Sequence, residues 1–319
     1  MSLFYNFSIF LSGLLILAVS SDYLIKSSVR LAQLLRLTTL FIGLILLAFG
    51  TSLPEGSVSI IALIKKYKDI ALGNIVGSNI ANIGLVLGIS GLLRPLKTSR
   101  SLFKKEIPIM LISSLFLFWF CADGMISRLE GAVFIAGFIL FLILAYRGSK
   151  ILEEAETVQT FAQPRFFAKA NSRFIIFIIF GVCLGCVIFS ANLMVNSGVN
   201  IAQIFGLSPW IIGLTIFAVG TSLPELAVSV SASLKDVPSI SIGNVVGSNI
   251  FNILLVLGIV SIIEPITVNR SILTFELPLL IVFSVVLTIF LGTDNRLSRA
   301  ESLFLLIFYS IFIVLLFIK

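Results

Sequence analysis

AFGTSLPE occupies residues 48–55, and AVGTSLPE occupies residues 218–225, 170 positions further on. Each is followed, at the same spacing, by a second matched stretch: GNIVGSNIAN from Gly73 to Asn82 and GNVVGSNIFN from Gly243 to Asn252. Between Ala48 and Ile89, 26 of 42 positions are identical to their partners 170 residues on. Each copy sets one carboxylate, Glu55 or Glu225, inside an otherwise apolar segment. A duplicated membrane segment with a buried acid in each copy predicts an ion site at a pseudo-symmetric interface.

The composition agrees with a membrane setting. Of 319 residues, 58% are hydrophobic and 12% charged, and the mean hydropathy is +1.16. A soluble domain carries roughly 25% charged residues. The net charge of +7 does not point to nucleic acid, because no aromatic-basic interleaving accompanies it. The basic residues instead set topology from the loops. The chain has no histidine, which removes His-based zinc sites, Ser-His-Asp triads and histidine proton relays. Cys183 and Cys186 make a CxxC spacing within an apolar helix, where packing is the expected role. The N-terminus lacks a basic n-region and a small-residue cleavage pattern, so the first apolar segment is expected to be retained as a helix.

Ten segments reach the length of about 20 apolar residues that a spanning helix needs. They are 6–25, 37–64, 69–93, 106–122, 129–147, 173–194, 207–234, 238–263, 274–292 and 300–318. The longest hydrophilic stretch, 148–172, divides them five and five. The expected fold is therefore an all-α polytopic membrane protein. Residues 1–147 form an N-terminal five-helix repeat with its motif at 48–89. Residues 148–172 form a short loop, and 173–319 form a C-terminal repeat with its motif at 218–259. Five is odd, so the second repeat enters the membrane with opposite orientation and the repeats are inverted. With ten helices, 16 Lys and Arg fall on the face of the central loop and 6 on the other. The positive-inside rule then predicts a cytoplasmic central loop, with both termini outside the cell (inner) membrane.

In GTSLPE, Pro54 has no N–H for the carbonyl of Gly50, and its ring crowds that carbonyl. A helix break is expected around residues 48–51, exposing carbonyl oxygens that a membrane tolerates only where they line a cavity or are buried in protein. Thr51 and Glu55 lie four apart on one side of a helix, and Ser52 adds an oxygen. Thr221, Ser222, Pro224 and Glu225 repeat the pattern around Gly220. In the second motif Asn74, Ser78 and Asn82 make a polar stripe, matched by Asn244, Ser248 and Asn252. Gly73 with Gly77, and Gly243 with Gly247, make GxxxG faces for close helix approach. Asn79 and Asn249 lie off the stripe and are expected to tie helices together. Hydroxyls alone commonly back-bond to the preceding turn. A glutamate at the midplane is costly to bury, and two in matched repeats point to function. Carboxylate, hydroxyl, amide and carbonyl oxygens without nitrogen or sulfur ligands suit hard cations such as Ca²⁺ and Na⁺.

These residues resemble the alpha repeats of the sodium/calcium exchanger family, within the cation/calcium exchanger superfamily, in a prokaryotic-type form. GTSLPE followed by GNxxGSNI, present twice, carries the resemblance. It implies a rigid core of the second, third, seventh and eighth helices around the ions. Long, tilted first and sixth helices slide across that core to give alternating access. It places the ion ligands on Glu55, Asn82, Ser78, Thr51, Ser52 and the carbonyl of Ala48. In the second repeat it places them on Glu225, Asn252, Ser248, Thr221, Ser222 and the carbonyl of Ala218. Many members carry Asp where this chain has Asn252, so the site here is symmetric, with two Glu and two Asn.

The implied activity is a secondary antiporter exchanging Na⁺ for Ca²⁺; members that depend on K⁺ tend to need the Asp, so Asn252 leans the expectation toward K⁺ independence. Its partners are these ions and the lipid bilayer, with no resident cofactor, nucleic acid or obligatory protein partner. A Ca²⁺/H⁺ (or other divalent cation) antiporter of the same fold and a passive cation channel are the alternatives. Enzymatic chemistry is not expected, since a Glu pair without histidine offers no nucleophile–base arrangement.

Overall fold

The computed structural model describes residues 3–34, 47–148, 173–234, 238–270 and 272–318. Two helices run through its middle, α4 (Lys68–Leu93) and α11 (Ser239–Ile263), with 83% and 72% of their membrane-length stretches buried. They carry the GNxxGSN stretches. Every residue of α4 from Ile70 to Gly84 is buried, polar and apolar alike. A helix apolar on all sides except for one polar stripe has no solvent face to offer and settles at the centre.

Around them lie α1 (Leu3–Leu34), α2 (Leu47–Thr51), α3 (Leu53–Ile64), α5 (Arg100–Lys104), α6 (Glu106–Phe120) and α7 (Arg128–Gly148). The second half supplies α8 (Arg173–Phe205), α9 (Pro209–Thr221), α10 (Leu223–Leu234), α12 (Ile272–Asp294) and α13 (Arg299–Ile318). The chain is an all-α polytopic membrane protein. Among the described residues seven helices are long and apolar enough to span, or eight if the bent pair α9–α10 counts as one span. Of the expected segments, the start of the second (37–46) and the loop at 149–172 lie outside the described residues. Helix α6 covers the fourth segment with 15 residues, fewer than expected, because Cys121 closes it at a turn ahead of Gly124.

Helices α1 and α8 run to 32 and 33 residues, well past the ends predicted at 25 and 194. At about 1.5 Å per residue each is nearly 50 Å long, more than a bilayer core requires. In α1 the apolar span ends at Leu24, before Lys26, but the helix continues, whereas in α8 the apolar span runs on past Asn196 and Asn200 to Phe205. The two helices pack closely on each other. A Cβ on Gly13 would lie 2.9 Å from Met194 Cγ and 3.3 Å from the Ser190 carbonyl oxygen. Leu17, Leu24, Val187, Ala191 and Met194 are buried.

Small devices staple one half to the other. Strand β1 (Leu96–Lys97) pairs with β4 (Arg296–Leu297), and β2 (Met125–Ile126) pairs with β3 (Ile266–Thr267), both antiparallel. The strand after α4 is thus held by the one before α13, and the strand before α7 by the one after α11. Helices α7 and α13 start with reciprocal caps. Ser127 N–H donates to Glu130 Oε2 at 2.7 Å while Glu130 N–H donates to Ser127 Oγ at 3.3 Å. Ser298 and Glu301 repeat both distances. Each carboxylate satisfies an N–H that the helix start leaves open. Glu106 opens α6, where the helix dipole favours an acid, and Glu276, 170 residues on, closes the π-helical turn Ile272–Glu276 that begins α12.

Candidate ion-binding core

The helix break falls at Ser52 and Ser222, one residue beyond the predicted interval in the first repeat. Ser52 has φ −90° and ψ 3°, and Ser222 has φ −82° and ψ 5°. The physical reason is that unwinding this residue places Pro54 or Pro224 in the first turn of a new helix. There the missing N–H has no partner to lose. The axis bends by 41° between α9 and α10. Glu55 and Glu225 consequently lie in the first turns of α3 and α10, at the positive ends of their helix dipoles.

Close crossing brings the GNxxGSN helix onto the opposite repeat's break. A Cβ on Gly77 would lie 2.5 Å from the Leu214 carbonyl oxygen and 2.7 Å from Ala218 Cβ. A Cβ on Gly213 would lie 2.9 Å from the carbonyl oxygen of Ile70. Only residues without side chains permit this approach, and it seats Ser78 beside Thr221, Oγ to Oγ1 3.4 Å.

The polar side chains then bond in reciprocal pairs, some across the repeats and some within each. Ser52 Oγ donates to Glu225 Oε1 at 3.0 Å, and Ser222 Oγ donates to Glu55 Oε1 at 3.2 Å. Thr51 Oγ1 donates to Asn244 Oδ1, and Thr221 Oγ1 to Asn74 Oδ1, both at 3.2 Å. Asn74 Nδ2 donates to the Glu55 carbonyl at 3.1 Å and to Ser59 Oγ at 3.0 Å, and Asn244 does the same for Glu225 and Ser229 at 3.4 and 3.3 Å. Asn82 Nδ2 donates to Asn249 Oδ1 at 3.1 Å, and Asn252 Nδ2 to Asn79 Oδ1 at 3.2 Å. One difference breaks the pairing: Ser248 Oγ also donates to Glu225 Oε1 at 3.1 Å.

Glu55, Glu225, Asn82, Asn252, Ser78, Ser248, Thr51, Thr221, Ser52 and Ser222 are all buried. Their side-chain hydrogen bonds fall into three groups, one around each glutamate and one joining Asn82 and Asn252 with Asn79 and Asn249. Ala218 opens the last helical turn before the break. Its carbonyl accepts the Ser222 N–H at 3.1 Å and Thr221 Oγ1 at 3.4 Å. Ala48 lies in α2, one turn before Ser52. No ion pair among the described residues involves either glutamate.

Of the buried side-chain oxygens that have no hydrogen-bond partner among the described residues, four belong to this core: Glu55 Oε2, Glu225 Oε2, Asn82 Oδ1 and Asn252 Oδ1. A protein seldom leaves such groups bare, because each forfeits its hydration without return. Carboxylate and amide oxygens are the donor types that a hard cation takes. Asn82 and Asn252 also begin π-helical turns, Asn82–Leu87 and Asn252–Leu257, a distortion frequent at functional sites.

The sequence reading passed over Ser59 and Ser229, which hold the second hydrogen of the Asn74 and Asn244 amides. The signal was available: each lies four residues after a motif glutamate, on the same helix face.

Residues 5–147 and 175–318 match the family model described as sodium/calcium exchanger protein. The sodium/calcium exchanger MaX1 of Methanosarcina acetivorans is 36% identical, over 98% of this chain and 98% of its own. A putative antiporter, CaxA of Alkalimonas amylolytica, is 36% identical over 93% of each. A solved structure of the sodium-calcium exchanger NCX_Mj, soaked with Na⁺ and Sr²⁺, superposes with a TM-score of 0.69. It is 29% identical and covers 98% of this chain and 99% of that one.

Proposed function

The chain belongs to the sodium/calcium exchanger protein family, and from that premise we propose that it is a secondary antiporter exchanging Na⁺ for Ca²⁺ across a membrane. The carrying observation is the set of four bare buried oxygens on Glu55, Glu225, Asn82 and Asn252. We assign the ion ligands to these residues with Thr51, Ser52, Ser78, Thr221, Ser222, Ser248 and the carbonyls of Ala48 and Ala218. Two glutamates give the site a formal charge of −2, matched by one Ca²⁺ or two Na⁺. A third Na⁺ leaves a net +1, and an exchange that moves one charge feels about 2.3 kcal/mol per 100 mV of membrane potential.

Competition is the coupling. Na⁺ and Ca²⁺ need the same two carboxylates, so neither can be fully bound with the other. A charged, empty core resists crossing an apolar barrier, and neutralisation by cations releases it to do so. In this reading two inverted five-helix repeats form the unit, with α1 and α8 sliding across a core of α2–α4 and α9–α11. Both termini lie outside the cell membrane and the central loop is cytoplasmic, following the excess of Lys and Arg on that face. The family is one of exchangers, and the chain's chemistry is ion movement without catalysis or a resident cofactor.

The test is ⁴⁵Ca²⁺ uptake by liposomes loaded with Na⁺ and diluted into Na⁺-free buffer, with choline-loaded vesicles as the control. Uptake that requires internal Na⁺ is expected. Uptake driven by a pH gradient without Na⁺ would replace Na⁺ with H⁺ as the coupling ion. Uptake with neither gradient would make the chain a passive channel.

A further inference from the structure

Asn79 and Asn249 stand three residues before Asn82 and Asn252 on α4 and α11. The tie between helices that the sequence predicts for them is present, but their hydrogen bonds do something more specific. A carboxamide has one end that only accepts and one that only donates. Asn82 or Asn252 can turn an oxygen toward a cation only if its NH₂ group is held elsewhere. A rotation of about 180° about the last side-chain bond would present hydrogens to the cation instead, at almost no change in shape.

The structure occupies both NH₂ groups. Asn252 Nδ2 donates to Asn79 Oδ1 at 3.2 Å, and Asn82 Nδ2 donates to Asn249 Oδ1 at 3.1 Å. The acceptors are themselves fixed across the interface between the repeats. Asn249 Nδ2 donates to the Asn79 carbonyl at 3.1 Å, and Asn79 Nδ2 donates to the Asn249 carbonyl at 3.5 Å. Asn249 Nδ2 also lies 3.9 Å from Met110 Sδ. Four amides thus form one crossed network in which each repeat orients the ligand of the other. The oxygens left over are Asn82 Oδ1 and Asn252 Oδ1, both buried and without a donor.

We propose that Asn79 and Asn249 are positioning residues that fix the polarity of the site, holding Asn252 and Asn82 with their oxygens toward the transported cation. The proposal rests on the exchanger reading above. It also explains how an uncharged amide can serve at position 252. An aspartate presents oxygen whichever way it turns and needs no such lock, whereas an asparagine does.

The experiment is a double-mutant cycle in Na⁺-loaded liposomes, comparing wild type, Asn79→Ala, Asn252→Asp and the double variant. The readouts are the half-saturating Ca²⁺ concentration and the maximal rate. The rise in unfolding temperature on adding Ca²⁺ to detergent-solubilised protein reports binding separately from transport. Asn79→Ala is expected to raise half-saturation about tenfold, the scale of one hydrogen bond between buried groups. In the Asn252→Asp background the same change should act by less than about twofold, because the carboxylate needs no orientation. Asn79→Asp, which keeps an acceptor at the same reach, should recover most of the lost affinity.

Equal effects of Asn79→Ala in both backgrounds, or no effect in either, would overturn the proposal and leave a structural tie. If Asn79→Ala does not fold, Asn249→Ala against Asn82→Asp carries the mirror comparison. A wild-type protein that Ca²⁺ stabilises but that shows no Na⁺-dependent uptake would refute the exchanger reading while leaving the cycle readable from binding. A wild-type protein that Ca²⁺ neither stabilises nor crosses would refute both.

Discussion

The same residue type behaves in opposite ways in two regions of the molecule. In α1 and α8, matched serines turn their hydroxyls onto their own helix. Ser20 donates to the Ile16 carbonyl at 2.6 Å, Ser27 to Leu24 at 2.9 Å, Ser190 to Val187 at 2.9 Å and Ser197 to Leu193 at 2.7 Å. In the core, Ser52 and Ser222 reach across to the other repeat's glutamate and Thr51 to its asparagine, while Thr221 lies within reach of both Asn74 Oδ1 at 3.2 Å and the Phe217 carbonyl of its own helix at 3.0 Å. Directional bonds between elements define one geometry and resist displacement. Hydroxyls satisfied within their own helix add no tie to its neighbours; at the polar end of α8, Lys65 Nζ donates to Asn196 Oδ1 at 2.7 Å, a bond that a shift would break. The contrast gives a physical meaning to a rigid core and a mobile pair.

The largest effect should come from removing charge in the core. Glu55→Gln or Glu225→Gln should reduce Na⁺-dependent ⁴⁵Ca²⁺ uptake to background. Stripping one member from a buried charge set costs about 3 kcal/mol or more, which is over a hundredfold in affinity. Near-normal uptake in either variant would detach the glutamates from transport.

Next is the stitching itself. Asn74→Ala strips a donor from the Glu55 carbonyl and from Ser59 Oγ, and an acceptor from Thr221. Leaving buried polar groups unpaired should lower stability in detergent by about 2 kcal/mol, seen as a reduced unfolding temperature, and should weaken Ca²⁺ binding with it. Ser20→Ala or Ser190→Ala, by contrast, removes a bond that the hydroxyl made to its own helix. A change of less than about 0.5 kcal/mol is expected, and transport should stay within about twofold. Should the α1 or α8 variants cost as much as Asn74→Ala, the distinction between the two regions would collapse.

The contrast was only partly legible in the sequence. GTSLPE and GNxxGSN, each present twice, located the core, its breaks and the residues that meet there, because proline, glycine and buried glutamate carry their constraints wherever they occur. The break moved to Ser52 because sequence spacing says which hydrogen bond Pro54 forbids but not which residue unwinds to avoid the clash. Helix α1 outruns its apolar span because hydropathy measures the membrane and not the helix, while in α8 Asn196 and Asn200 interrupt a span that continues to Phe205. Beyond Lys26 and Asn196 the chain stays helical, and in α8 Val199, Ile201 and Ala202 still pack in the core. The two-residue strand pairings lie below any periodic signal. The orientation of an amide leaves no trace in spacing at all, so Asn79 and Asn249 could be read as ties but not as acceptors.

The smallest effect concerns a contact between the repeats that lies outside the core. Lys66 takes a left-handed conformation, φ 68°, after the end of α3, a position that favours glycine. From there its Nζ lies 2.9 Å from Glu264 Oε2, while Lys68 Nζ lies 2.9 Å from Glu264 Oε1. Hydrogen bonds from Lys66 and then Lys68 hold the Glu264 carboxyl below its usual value of 4.5. A lowered folded-state value means that the stabilisation is present above about the unfolded value and is lost as pH falls through the folded one. The Lys66 side chain is 74% exposed, so water screens the pair and its contribution is small. Glu264→Gln should therefore lower the unfolding temperature only slightly at neutral pH, and the difference from wild type should shrink as the pH drops below about 4. A large loss, comparable with that of Asn74→Ala, would mean that the rim clamps the repeats as firmly as the core does. The division between bonded core and sliding surface would then need redrawing at the ends of α3 and α11.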